Sequence, residues 1–243
     1  MKSKIVDSTE RKQLTGLMDL FVRLEVPPDP FGLYPRYGEY KDAFLTATER
    51  GKDDDVEEAF LTLYSHVHGH EAPYTKQERD RMDQTGGYWC HAGGISPIIK
   101  AESHIHPHTV SGDFGAGNGL QALLFQKLYP HKKTIQIEIS SRMVEAGKVL
   151  QEWLGVDKDN VQWVVGDVMD ASPKEMDFIY LYRPVRPEGI GRQFYEMFAA
   201  DLEQTTNEVV IFSIADCLRE FLSDDFQVFY TDGHLTCYKR TCT

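Results

Sequence analysis

Val110 to Leu120 (VSGDFGAGNGL) combines an acidic side chain, Asp113, with glycines at the alternate positions Gly115, Gly117 and Gly119. Glycine has no Cβ, so a backbone this rich in it can approach a ligand closely and turn through positive φ. The run leads into Leu120, Leu123, Leu124 and Leu128, which are spaced for a helix, and the free amides at that helix's start would face whatever the loop cradles. The expected chemistry is the holding of a nucleotide-like ligand. A dinucleotide loop of the form GxGxxG would need glycine or alanine at position 120, where this chain has Leu120.

Two further acidic residues sit at comparable places. Glu138 closes the run TIQIE, 19 residues after Gly119, where a carboxylate can accept from both hydroxyls of a ribose. Gly166, Asp167 and Val168 follow VQWVV. Each alone fits ordinary turn or cap chemistry, since Gly and Asp favour turns. Their order, each at the end of an apolar run, is what points to one nucleotide-type site on an α/β sheet.

Together the three elements resemble the motifs of class I S-adenosylmethionine-dependent methyltransferases, in which a strand ending in an acidic residue runs into a loop such as DFGAGNG. The resemblance covers roughly residues 86–239. It implies an α/β fold with a Rossmann-like methyltransferase sheet, mostly parallel, seven-stranded and closed by an antiparallel C-terminal hairpin. It also implies S-adenosylmethionine as cofactor. The methionine part would lie over Gly115, Gly117 and Gly119, with Asp113 toward its cationic amino end and Glu138 on the ribose. Ile139 would pack on an adenine face, Asp167 would accept from the adenine amine, and the Val168 amide would donate to the ring. Gly93 and Gly94, with Ser96 before Pro97, are similar to the loop that closes over the methionine end; Tyr88, His91 and Ser96 are the candidates there. Family members that methylate exocyclic amines carry an Asp/Asn-Pro-Pro-aromatic motif where this chain has Tyr182-Arg183-Pro184-Val185, which counts against nucleobase amines and glutamine as acceptors.

Tyr180 and Tyr182 share one face of their strand, and with Arg183 they reach the strand end where open α/β sheets bind ligands. Tyr182 and Arg183 are candidates for the methyl-transfer pocket, with Tyr180 beside the cofactor and His91 as a candidate base. A sulfonium methyl is already activated, so alignment and an unprotonated acceptor are the main requirements. Two histidine triplets, His66, His68, His70 and His104, His106, His108, would project imidazoles to one side if they lay in strands. Gly69 and Pro107 interrupt them, and no Cys or carboxylate stands at a metal-ligand spacing, so no metal is expected.

The elements that must position these residues are legible in the same chain. Strands are predicted over Thr109–Phe114, Thr134–Ile139, Val161–Val165, Met176–Tyr182, Glu208–Ser213, Phe226–Tyr230 and His234–Lys239, alternating with helical patterns. Only Thr231, Asp232 and Gly233 separate the last two, which must therefore pair as a hairpin. One-sided helices are predicted with Leu120, Leu123, Leu124 and Leu128, with Met143, Ala146, Leu150 and Leu154 before a Gly155 cap, and with Phe194, Met197, Phe198 and Leu202. Residues 1–85 read as a helical cap, with Leu14, Leu17, Met18, Phe21 and Leu24, then Val56, Phe60, Leu63 and Val67, at helical spacing around a Pro-rich break from Pro27 to Gly38. Residues 86–243 read as the cofactor-binding core.

The 243 residues carry 26 Lys and Arg against 38 Asp and Glu, a formal net charge of -12, so a nucleic acid backbone would be repelled. No apolar run is long enough to span a membrane and no secretory signal opens the chain, which reads as cytoplasmic. Cys90, Cys217, Cys237 and Cys242 lack a CxxC spacing and are expected to stay reduced. The expected function is methyl transfer to an oxygen or nitrogen of a small molecule. The alternatives are a protein lysine methyltransferase, a non-catalytic S-adenosylmethionine-binding scaffold and, disfavoured by Leu120, an NAD-dependent dehydrogenase.

Overall fold

The computed structural model describes residues 8–68, 74–88 and 93–240. The apolar runs form β1 (Val110–Phe114), β2 (Lys133–Glu138), β3 (Val161–Val165), β4 (Phe178–Tyr182), β5 (Val209–Ile214), β6 (Phe226–Thr231) and β7 (Leu235–Arg240). They make one sheet in the order β3-β2-β1-β4-β5-β7-β6. The first five strands are parallel, and β7 runs antiparallel to both β5 and β6. Asp232 shapes the hairpin turn by accepting from the His234 and Leu235 amides at 2.9 and 2.8 Å, and Gly233 takes a φ of 90° there. The order reverses between β1 and β4, which places a crevice at the C-terminal ends of those two strands. This is a Rossmann-like α/β architecture, a mostly parallel seven-stranded sheet closed by an antiparallel C-terminal hairpin.

Side-chain alternation along β4 shows how the sheet is covered. Phe178 and Tyr180 point into one apolar layer, with α1 (Ser8–Arg23), α2 (Tyr37–Arg50), α3 (Asp53–Val67), α5 (Ser96–Ala101), α6 (Leu120–Leu128) and α7 (Ser141–Leu154). Ile179 and Leu181 point into the other, against α8 (Gly189–Glu203). α4 (Lys76–Thr85) is held by a Thr75–Glu78 capping box and packs against α8.

Two helices differ from their sequence patterns. α6 was expected to bury one face; it buries Leu120 through Gln126, because the sheet lies on one side and the N-terminal helices on the other, while Leu128 is only half-buried. Met197 of α8 is 55% exposed, since Phe194, Phe198 and Leu202 already fill the stripe facing the sheet. The Pro-rich break ends two residues earlier than its composition suggests, at Arg36, and α2 begins at Tyr37.

The N-terminal helices are pinned by polar contacts as well as by apolar area. Lys41 reaches the end of α1, donating to the carbonyls of Phe21, Val22 and Leu24, where a cation complements the helix dipole. Trp153 of α7 donates to the Glu25 carbonyl at 2.9 Å and meets Phe21 and Tyr37 edge-on.

Candidate active site

The glycine loop is built as a bracket between β1 and α6. Gly115, Gly117 and Gly119 all have positive φ, of 80, 58 and 69°, a backbone shape that side chains resist. Gly119 is also a packing requirement: a Cβ there would sit 2.0 Å from Gln136 Oε1 and 2.4 Å from the Trp163 ring. Between them, Asn118 is buried and turns toward the N-terminal helices, donating to Tyr34 Oη at 2.9 Å and to the Val67 carbonyl at 2.7 Å.

Glu138, at the end of β2, reaches back to the same loop. Its Oε2 accepts from the Gly117 amide at 2.8 Å and its Oε1 from the Ser140 amide at 2.9 Å. Burial nevertheless pushes this carboxyl up to about 7, those backbone donors pulling the other way and the charge of Glu78 adding to the rise. Asp113, at the end of β1, is buried too and is pushed up to about 8, first by burial and then by the neighbouring Glu138 charge. Two buried acids with so little compensation suit a cationic, hydroxyl-bearing ligand. Asp167 follows β3: its Oδ1 accepts from the Met169 amide at 3.0 Å and its Oδ2 from Arg81 Nε of α4 at 2.8 Å.

Tyr88, Asp113, Gly115, Gly117, Glu138, Ile139, Asp167, Val168, Tyr180, Tyr182 and Arg183 all line one cavity of about 250 Å³. Gly119 and Ser96 do not line it. Gly119 caps α6 against Gln136 and Trp163, and Ser96 is the half-buried first residue of α5. His91 lies outside the described residues.

The wall next to the glycine loop comes from the turn after β4, where Pro184 Cβ lies 3.1 Å from where a Cβ on Gly115 would sit. Gly87 pairs with Val185 in an isolated antiparallel bridge, and the Tyr88 amide donates to the Pro184 carbonyl at 3.1 Å. Tyr88 is thereby laid beside Arg183, whose guanidinium carbon stands 5.3 Å from the ring centre. Arg183, with a φ of 34°, and Ala215, with 49°, are the non-glycine residues of positive φ among those described, and both line the cavity. Strain of this kind persists where a site over-determines the backbone.

Other lining residues carry weaker sequence signals. Gln121, one residue into α6, accepts from Tyr64 Oη at 2.6 Å, while its buried Nε2 has no hydrogen-bond partner among the described residues. His68 and Tyr74 flank the 69–73 stretch, and Met82 and Thr85 come from α4. Of the histidine triplets, His68 reaches the cavity, whereas His104 packs against Phe212 and Phe229. No helix among the described residues is long and apolar enough to cross a membrane.

No protein-family model matches the sequence, and no curated protein does either. Solved structures with a similar fold include a methyltransferase from Geobacter sulfurreducens, 15% identical over 70% of this chain and 92% of that one, with a TM-score of 0.48. An RNA methyltransferase from Salinibacter ruber in complex with S-adenosyl-L-homocysteine is 20% identical over 70% of this chain and 93% of that one, with a TM-score of 0.45. An rRNA methylase from Streptococcus thermophilus is 12% identical over 59% of this chain and 94% of that one, with a TM-score of 0.41.

Proposed function

We propose that this chain is an S-adenosylmethionine-dependent methyltransferase that transfers a methyl group to an oxygen or nitrogen of a small molecule. One observation carries the reading: Asp113, Glu138 and Asp167, from the ends of three neighbouring strands, converge on one cavity with the Gly115–Gly117 backbone. When bound, the cofactor supplies a sulfonium methyl already activated for transfer. Asp113 offers negative charge to the cationic amino end, Glu138 takes the ribose hydroxyls while bracing the loop through Gly117, and Asp167 with the Val168 amide reads the adenine. Residues 1–85 serve as the cap and residues 86–243 as the core, and the cap contributes His68, Tyr74 and α4 to the enclosure of the acceptor. Tyr88, Tyr182 and Arg183 hold that acceptor in line and keep water out.

A small acceptor is favoured over a nucleic acid by the net charge of -12, which disfavours a phosphate backbone. A thermal-shift comparison of S-adenosylmethionine, S-adenosylhomocysteine, NAD and a single-stranded RNA oligonucleotide tests the reading. A ligand at 100 times its dissociation constant adds about 2.7 kcal/mol of stability. Stabilisation by the two adenosyl ligands is expected; stabilisation by NAD alone would overturn the cofactor, and stabilisation by the RNA would overturn the acceptor class.

A further inference from the structure

We propose that Arg183 anchors a carboxylate on the methyl acceptor, so that the substrates are small acids with an aromatic body. This inference rests on the methyltransferase reading for the words methyl acceptor, and on Arg183 itself for the carboxylate.

Arg183 lines the cavity at the C-terminal end of β4, and its Nε is buried with no hydrogen-bond partner among the described residues. It joins none of the ion pairs among them either, in a chain where 38 acidic residues outnumber 26 basic ones. A guanidinium keeps its charge at any physiological pH, so a buried N–H left without an acceptor is a cost that an incoming anion removes.

The charges in the cavity are divided. Asp113, Glu138 and Asp167 belong to the loop and to the ends of β1, β2 and β3, where the cofactor's cationic and hydroxyl groups find partners. Arg183 follows β4 on the neighbouring strand and forms an ion pair with no acid among the described residues. Its guanidinium carbon lies 5.3 Å from the centre of the Tyr88 ring, and that of Arg186 lies 5.8 Å from the same ring. A ring that braces the flat guanidinium leaves the planar fork of donors to a ligand, and a carboxylate fits that fork with two parallel hydrogen bonds. The backbone φ of 34° is a conformation that an arginine seldom adopts, and it is kept at a residue lining the cavity. Tyr74, Tyr182, Met82 and Val185 add aromatic and apolar surface to the cavity lining, suited to a single ring.

Titration calorimetry of the full chain saturated with S-adenosylhomocysteine, using 4-hydroxybenzoate and its neutral counterpart 4-hydroxybenzamide, tests this. The acid is expected to bind at least about tenfold more tightly than the amide, as suits a bidentate charged contact. Arg183→Met should erase that preference, and Arg183→Lys should keep part of it. Arg183→Gly relieves the positive φ, so it should fold and still lose the preference. Equal binding of acid and amide, binding of neither, or a preference that survives in Arg183→Met and Arg183→Gly would overturn the proposal. So would a loss of S-adenosylhomocysteine affinity in both variants with the acid preference intact, which would assign Arg183 to the methionine carboxylate. Failure of the wild-type chain to bind S-adenosylhomocysteine would instead sink the cofactor reading. The same pair of titrations without it then decides the carboxylate anchor separately.

Discussion

Arg81 Nε donates to Asp167 Oδ2 at 2.8 Å, tying α4 to the turn after β3 across 86 residues of sequence. The oxygen it occupies belongs to the carboxylate assigned to the adenine amine, so α4 closes that end of the cavity and competes for the same acceptor. The arginine is half-exposed, and such pairs contribute about 0.2–1 kcal/mol. Arg81→Met is therefore expected to tighten S-adenosylhomocysteine binding by up to about fivefold in calorimetry, with little change in melting temperature. Weaker binding would show that Arg81 holds Asp167 in place for the ligand.

The raised carboxyls predict a pH dependence. Asp113 and Glu138 sit at about 8 and about 7 in the folded chain, well above their ordinary values of 3.8 and 4.5. Their protonated forms therefore favour the ligand-free fold: this contribution is full below the ordinary values and is lost as pH rises through 7 to 8. A cationic ligand needs the ionised forms, so binding releases protons. S-adenosylhomocysteine affinity should rise between pH 6 and 8, by no more than about tenfold per pH unit for each proton released. Binding enthalpy at pH 7 should vary with the ionisation enthalpy of the buffer. A flat affinity and a buffer-independent enthalpy would contradict the assignment.

Asn118 joins the glycine loop to the N-terminal helices through Tyr34 and the Val67 carbonyl. Asn118→Ala leaves that buried carbonyl without this donor and should cost about 1–3 kcal/mol in urea unfolding. Cofactor affinity should fall as well, because the loop loses its tie to the N-terminal helices. A stable variant with full affinity would show that the cap does not position the loop.

Gly119→Ala tests the packing role directly. The added methyl meets Gln136 and Trp163 at 2.0 and 2.4 Å, at a φ of 69°. Overpacking and left-handed strain together predict about 2–4 kcal/mol of destabilisation in urea unfolding. Unchanged stability would mean that the loop and β2 sit farther apart than described.

The sheet was readable because its strands are short apolar runs at strand length, and the strand-end carboxylates stood out because each ends such a run. α4 was not readable in the same way. KQERDRMDQT holds a single large apolar residue, Met82, so it has no helical stripe, and its signals are confined to its ends, the Thr75–Glu78 capping box and the Gly86 cap. Gln121 was hidden among the leucines of α6, whose pattern speaks of burial and not of a side chain turned into a cavity. Ala215 enters the cavity through a backbone angle, which no side-chain pattern records. Met197 shows the reverse failure: its spacing fits the inner stripe of α8, yet the stripe is narrower than the spacing allows.

The central claim is that Glu138 and its neighbours hold an adenosyl ligand. Titration calorimetry of S-adenosylhomocysteine against the wild-type chain, Glu138→Gln and Glu138→Ala measures it most directly. The account predicts measurable binding by the wild type, and a loss of roughly 10- to 150-fold in Glu138→Ala, the worth of hydrogen bonds to a charged group. An intermediate loss is expected in Glu138→Gln, which keeps one acceptor oxygen for the loop. No binding by the wild type, or equal affinity in all three folded proteins, would contradict the account.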